Sequence, residues 1–432
     1  MSEKFVINGG KALCGTVEIS GAKNAAVAIL PATVLAEGIC VIENLPRIAD
    51  VFIVLKILKN LGADVKLEGG TATIDTTHLN GHTVDKELAE RMRASYYFLG
   101  ALLGRCGEAE VAMPGGCVIG QRPIDLHKKG LRALGAHIDT DFGKMTGHCE
   151  ELVGKDIYLD QVSVGATINI MLAAVKAKGN TTIVNAAKEP HVVDVANFLN
   201  CMGAKIKGAG TDIIKIRGVE KLHGCSYGVI PDQIETGTIM IAAAATKGDV
   251  TVQNVIPTHM EALSQKLMEM GVTVVEGDDY IRVKSNGRPR AVNIKTLPYP
   301  GFPTDLQQPM TVLLSTANGT SVIVENIFEA RFKHIDEIRR MGAKVTIDDR
   351  IAVVKGVERL TGASVKATDL RAGAALVIAG LMAEGTTDIT NIKYIERGYD
   401  HIDEKLISLG ADIKRVKEEP KEDVDFENEF NR

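Results

Sequence analysis

Residues 114–123 read PGGCVIGQRP, three glycines and two prolines in ten positions, and IDLH follows. Such a stretch is too polar and too free in its backbone to be core, so it predicts a loop. Cys117 lies inside it and Arg122 five residues on. A thiol on a mobile loop beside a guanidinium loses its proton more readily, which makes Cys117 a candidate reactive thiol. The competing reading is a free cysteine packed as a small hydrophobe. Cys14, Cys40, Cys106, Cys149, Cys201 and Cys225 fall in or beside apolar segments or in ordinary loops, and carry only that second reading.

A second set of chemically capable residues stands just before six apolar helical segments. Three of these segments are preceded by Lys23 and Asn24 (SGAKNAA), Arg93 (RMRAS) and Ser163 (VSVGAT). The other three are preceded by Asp232 (PDQIETGT), Asp305 (FPTDLQQ), and Asp369 with Arg371 (TDLRAG). If these helices run parallel, their N-termini converge at one end of each domain, where unsatisfied N–H groups bind anions. Facing ends would then form a cleft with one cationic wall, suited to phosphate, and one carboxylate wall, suited to hydroxyls or general-base work. Taken singly, an aspartate before a helix is an ordinary N-cap. Lys23 cannot cap, and the helix dipole disfavours it there, so its charge implies a partner anion. Arg331 and Arg397 occupy matching places before two surface helices and read either as solvated or as anion-binding. His127, His191, His334 and His401 begin surface helices, where capping or solvent is the expected role.

The elements that hold these residues come from an internal repeat. [Leu/Met]-Gly-[Ala/Val] followed by an alternating run recurs at Leu61, Leu134, Met202, Met270, Met341 and Leu409, at spacings of 73, 68, 68, 71 and 68 residues. Each tripeptide closes an amphipathic helix with glycine at the C-terminal cap, and the run after it reads as a strand. Upstream lies a helix apolar nearly all round, such as KNAAVAILPATVLAEG or RAGAALVIAGLMAEG, which is how a buried helix reads. A short strand follows, ending in five repeats at Asn44, Asn185, Asn254, Asn326 or Asn391; the second repeat has the Cys117 loop instead.

The expected fold is therefore α/β, two similar domains of three repeats each, with an apolar helix wrapped by sheet in every repeat. The seam falls near residue 230, which gives a first domain of 22–230 and a second of 231–418. The charged tail 419–432 is expected to be disordered. With 45% hydrophobic and 24% charged residues in 432, the chain is globular, and its net charge of −5 offers no basic field for nucleic acid. Seven cysteines form no CxxC pair or zinc spacing, and GxGxxG, Walker and HExxH patterns are absent, so neither a metal nor a nucleotide cofactor is expected. No apolar leader or membrane-length run is found, which suggests a reduced, cytoplasmic protein.

Over essentially its whole length, from SGAKNAA through PGGCVIGQRPIDLH, SVGATIN, PDQIETGT, FPTDLQ and ATDLRA to IERGYDHI, the sequence closely resembles the UDP-N-acetylglucosamine 1-carboxyvinyltransferase family of enolpyruvyl transferases. The resemblance implies two inside-out α/β domains with their helices buried and parallel, in which residues 1–21 join the second domain, and it implies that no metal or redox cofactor is needed. It implies phosphoenolpyruvate and UDP-N-acetylglucosamine as substrates, joined through a tetrahedral ketal with loss of phosphate in the first committed step of peptidoglycan precursor synthesis. Cys117 would protonate C3 of phosphoenolpyruvate and react with the epoxide fosfomycin, on a loop that closes over the substrates. Lys23, Arg122 and Arg397 would hold the phosphate and carboxylate, and Asp305 would accept the sugar hydroxyl proton. Asn24 would contact the sugar, and Arg93, Ser163 and Val164 the uridine diphosphate. Pro123, Ile124, Asp125, Leu126, Gly165 and Ile327 would complete the substrate wall, with Arg331, Asp369 and Arg371 on the second-domain side. Gln161, Gln233 and Tyr299 depart from the basic residue or histidine that other members can carry, which bears on nucleotide affinity. The sister family acting on shikimate 3-phosphate is the nearest rival, but its GNAGTAMR-like stretch is replaced here by RMRASYYFLG. A non-catalytic sugar-nucleotide sensor is the rival from another class. Oligomeric state is not indicated.

Overall fold

A computed structural model describes residues 3–113 and 124–418. The Cys117 loop from Pro114 to Pro123 and the charged tail lie outside the described residues, so the expectations for Cys117, Arg122 and Pro123 do too.

Each of the six apolar segments is a helix or helical turn buried almost all round. The six regular helices are Lys23–Ala32, Tyr97–Cys106, Val164–Ala174, Gln233–Ala245, Gln307–Leu314 and Leu370–Met382. In Gln233–Ala245 every residue but the first is buried. Tyr97–Cys106 packs on both Lys23–Ala32 and Val164–Ala174, and the last three helices pack on one another. Two apolar interiors result. One is built from residues between Ala22 and Val229, the other from Phe5 to Ile19 together with Ile234 to Ile413. Close approach depends on small residues: Gly100 N donates to Asn169 Oδ1 at 2.7 Å, and an added Cβ would meet Asn169 O at 2.2 Å.

Sheets wrap these helices, five of four strands and one of three among the described residues. In the first repeat, Ile39–Glu43 pairs antiparallel with Thr71–Asp75, which pairs with Asp64–Glu68, while Ser226–Gly228 joins the other edge in parallel. Glu3–Asn8 inserts between Thr386–Thr390 and Asp412–Lys417, and Cys14–Glu18 pairs in parallel with Asp249–Gln253. The second repeat, which carries the loop in place of the asparagine, is the one whose sheet has three strands.

Two recurring local devices set the repeat. Gly62, Gly135, Gly203, Gly271, Gly342 and Gly410 all have φ between +88° and +101°, the left-handed cap that ends each surface helix. Asn44, Asn185, Asn254 and Asn391 also have positive φ, of 55° to 61°. The first three donate Nδ2 to a carbonyl at 2.8 Å on the neighbouring segment, Val229, Leu159 and Ile19 respectively. The asparagine thus turns the chain off its strand and ties it to the parallel neighbour, a role Asn fills because its amide stabilises left-handed backbone. Asn326 makes the same bond to Thr296 O at 3.0 Å.

Among the described residues no helix is long and apolar enough to cross a membrane.

Candidate active site

A cavity of about 500 Å³ lies between the two interiors, and the N-terminal ends of all six buried helices open onto it. Lys23, Asn24, Arg93, Leu126, Ser163, Val164 and Gly165 line it from the first interior. Asp305, Ile327, Arg331, Asp369, Arg371 and Arg397 line it from the second, and Gln161, Gln233 and Tyr299 also reach its wall. Ile124 is buried, and Asp125 turns its carboxylate towards Lys128, 4.0 Å away.

The helix-end residues divide by role. Asp232 accepts from Ile234 N at 2.7 Å and Glu235 N at 3.0 Å, Asp369 from Arg371 N and Ala372 N at 3.0 Å, and Ser163 from Ala166 N at 3.3 Å. These three are N-caps, the ordinary reading of such residues. Asp305 caps nothing. Its Oδ1 takes a short bond from Arg331 Nη2, and its Oδ2 lies 3.1 Å from Arg371 Nη2. Burial would raise this carboxyl, but the charges of Arg371 and Arg331 outweigh it and hold Asp305 far below the usual carboxylate range. The Asp305 side chain is 26% exposed while both arginines are almost wholly buried, so the carboxylate is the most accessible member of the cluster.

Lys23 has its partner anion inside the protein. Its Nζ lies 3.0 Å from Asp50 Oδ2, and Arg397 Nε lies 3.0 Å from Asp50 Oδ1. Burial works to raise the Asp50 carboxyl, and the charges of Lys23 and Arg397 reverse that and lower it. The expected split into a cationic and an acidic wall is therefore corrected. On the second side Asp305 is paired with Arg331 and Arg371, because a buried charge without a partner is too costly, and Arg397 stands there too, while the first side carries Asp50 and Glu189 beside its cations.

The histidines were expected at capping or solvent positions, and two are instead buried: His127 is 4% exposed and His334 wholly enclosed. Asn169 fixes the state of His127. Its Oδ1 accepts from Gly100 N, so its Nδ2 donates, to Tyr96 O at 2.9 Å and to His127 Nδ1 at 3.1 Å. Nδ1 is then the acceptor and the ring proton sits on Nε2. Burial, helped by Arg93, pushes His127 down to about 3, and burial pushes His191 and His334 to about 4. Because these folded values lie below the unfolded one near 6.5, the unfolded state takes up protons first. Stability is full above about pH 6.5 and falls as the pH drops through the window from 6.5 towards 3 to 4. Between pH 7.5 and 5.5 each such histidine should remove about 1 kcal/mol, read from urea midpoints. A His127→Asn variant should lose less stability over that interval than the parent, and an equal loss would show that His127 is not the group responsible.

Asp50 and Glu189 were not among the residues singled out from sequence. Asp50 and Glu189 stand at or just before a helix start, where acids are routine, so nothing local marks them. Glu189 is raised by burial, its Oε2 has no partner, and Tyr299 N approaches its Oε1 at 3.5 Å from the other side of the cavity.

Residues 7–406 match the family described as EPSP synthase (3-phosphoshikimate 1-carboxyvinyltransferase). The sequence is 58% identical over 416 residues to UDP-N-acetylglucosamine 1-carboxyvinyltransferase 2 of Clostridium acetobutylicum, across 96% of this chain and 100% of the relative. It is 60% identical over 416 residues to UDP-N-acetylglucosamine 1-carboxyvinyltransferase 3 of Caldanaerobacter subterraneus, with the same coverage of 96% and 100%. The solved enolpyruvyl transferase NikO from Streptomyces tendae has a TM-score of 0.88 at 27% identity, covering 97% of this chain and 100% of that one. EPSP synthase from Acinetobacter baumannii, with a TM-score of 0.74 at 20% identity over 96% and 100%, shares the fold. Six repeats around two helical interiors, helix ends gathered on one cavity, and likeness along nearly the whole chain lead to one conclusion: this protein belongs to the EPSP synthase family of enolpyruvyl transferases.

Proposed function

We propose that the protein transfers the enolpyruvyl group of phosphoenolpyruvate to the 3-hydroxyl of UDP-N-acetylglucosamine, releasing phosphate, as the first committed step of peptidoglycan precursor synthesis. The observation that carries this reading is the cavity itself, where at the converged helix ends Arg331 and Arg371 hold an ionised Asp305 while Lys23 and Arg397 meet at Asp50. The names of relatives at 58% and 60% identity supply the acceptor. The two interiors serve as the two domains, 22–230 and 1–21 with 231–418, and the site works between them. We place the protein in the cytoplasm, where its six described free thiols stay reduced.

In this reading the sugar 3-hydroxyl adds to C2 of phosphoenolpyruvate as Asp305 takes its proton and Cys117 protonates C3. A tetrahedral ketal carries the sugar oxygen and the phosphate on one carbon. A C3 proton then leaves as the C2–O(phosphate) bond breaks, giving the enol ether and free phosphate. A carboxylate as acidic as Asp305 removes a hydroxyl proton only in concert with C–O bond formation, which the matched cations favour by stabilising negative charge on the substrate. Lys23, Arg122 and Arg397 hold the phosphate and carboxylate. Arg93 and the Ser163–Gly165 helix end take the uridine diphosphate, as helix N-termini do with anions.

Calorimetric titration tests the acceptor: UDP-N-acetylglucosamine should bind and shikimate 3-phosphate should not, and the reverse order would favour the sister activity. The thiol role has its own test. Fosfomycin should add once, at Cys117, as read by peptide mass spectrometry, and Cys117→Asp should keep turnover while resisting the epoxide. A Cys117→Asp protein still inactivated by fosfomycin would contradict that role.

A further inference from the structure

Lys23 and Arg397 come from opposite interiors, and one side chain holds both. Asp50, on the surface helix Ala49–Asn60, uses both carboxylate oxygens: Oδ2 is 3.0 Å from Lys23 Nζ and 3.4 Å from Arg397 Nη2, and Oδ1 is 3.0 Å from Arg397 Nε. Its side chain is 4% exposed, so it cannot trade these partners for water without a large cost. One anion between two cations leaves the group net positive. Without it the two cations repel at close range and lose the common anchor that fixes their spacing.

The next residue supports the same arrangement. An added Cβ on Gly398 would lie 2.9 Å from Lys23 Cδ and 2.6 Å from Leu370 Cδ2. Gly398 has φ −151°, so what opposes a side chain here is space, against the stems of Lys23 and Leu370, which would have to shift. The stem of Lys23 crosses the bare Gly398 Cα on its way to Asp50. At its other end, Lys23 N is fixed by Asp232 Oδ2 at 2.9 Å.

We propose that Asp50 is a positioning residue that sets the separation of Lys23 Nζ from the Arg397 guanidinium across the two interiors, so that both cations are preset for the phosphoryl and carboxylate groups of one small substrate. The inference rests on the assigned use of phosphoenolpyruvate, and its test separates the two. Misplacing groups of this kind by about 1 Å costs on the order of 100-fold in rate. Asp50→Asn should therefore lower kcat by about that factor and raise KM for phosphoenolpyruvate, with KM for UDP-N-acetylglucosamine within twofold of the parent. A thermal shift with inorganic phosphate adds a readout that loss of packing would not move. With its internal anion removed, Asp50→Asn should gain more Tm from phosphate than the parent, and a Lys23→Met/Asp50→Asn double variant should lose that extra gain. Gly398→Ala should lower kcat while its phosphate response stays that of the parent. Asp50→Asn with kcat and phosphoenolpyruvate KM within threefold of the parent, or with an unaltered phosphate response, would overturn the proposal. A parent protein that does not turn over would contradict the assigned reaction, while the phosphate response would still report whether Asp50 holds the two cations.

Discussion

Asp305→Asn is expected to lower kcat by about 10²- to 10⁴-fold, the range that a positioned general base contributes, with little change in KM for either substrate. The amide keeps the shape and can still accept from one arginine, so the variant should fold. It cannot accept a proton, and it removes the single negative charge shared by Arg331 and Arg371. Both arginines are nearly fully buried, so their loss of a counter-ion should also lower Tm. Asp305→Ala should lower it further, because it removes both hydrogen-bond acceptors as well as the charge. Steady-state kinetics with thermal melts of both variants would check this. A kcat within tenfold of the parent for Asp305→Asn would remove Asp305 from the proton-transfer step.

The second large effect belongs to Lys23. Lys23→Met keeps the stem that crosses Gly398 and deletes only the charge, so packing is retained. A preorganised charge aimed at a developing anion is worth about 10²- to 10³-fold in kcat, and that loss is expected here. Phosphoenolpyruvate should also bind more weakly, whereas UDP-N-acetylglucosamine should keep its affinity, because Arg93 and the Ser163 helix end are untouched. Equal weakening of both substrates would mean that Lys23 acts on the whole cavity rather than on one anion. Kd values for the two ligands, measured separately, distinguish these outcomes.

What was legible in the sequence was whatever the local backbone decides. The cap glycines announced six surface helices because only glycine takes φ near +95° without strain, and all six have it. The asparagines at strand ends were visible because four of them take left-handed backbone, and the bond that Asn44, Asn185, Asn254 and Asn326 make to a neighbouring segment explains why the position repeats. The apolar helices announced their own burial, and burial of three beside three set their N-termini on one cavity. Lys23 stood out because a lysine at a helix start opposes the dipole. Its internal partner did not, since Asp50 at the start of a surface helix reads as ordinary helix chemistry. Only the fold brings Arg397, 347 residues away, to the same carboxylate. The histidines show the same limit: His127 and His334 occupy surface-helix starts in sequence, yet those starts face inward, towards buried partners such as Asn169. Likewise, Asp305 looked like Asp232 and Asp369, and only the positions of Arg331 and Arg371 separate it from two caps. Charge pairing across long sequence distances is a property of packing, and periodicity carries no trace of it.

The central claim is a transfer with a particular acceptor, and phosphate release tests it most directly. The purified protein would be mixed with phosphoenolpyruvate and, separately, UDP-N-acetylglucosamine or shikimate 3-phosphate, with Cys117→Ala as control. Phosphate should appear only with UDP-N-acetylglucosamine and vanish in the control. Release with shikimate 3-phosphate instead would contradict the acceptor while keeping the chemistry, and silence with both would contradict the enzyme reading in favour of a sugar-nucleotide sensor.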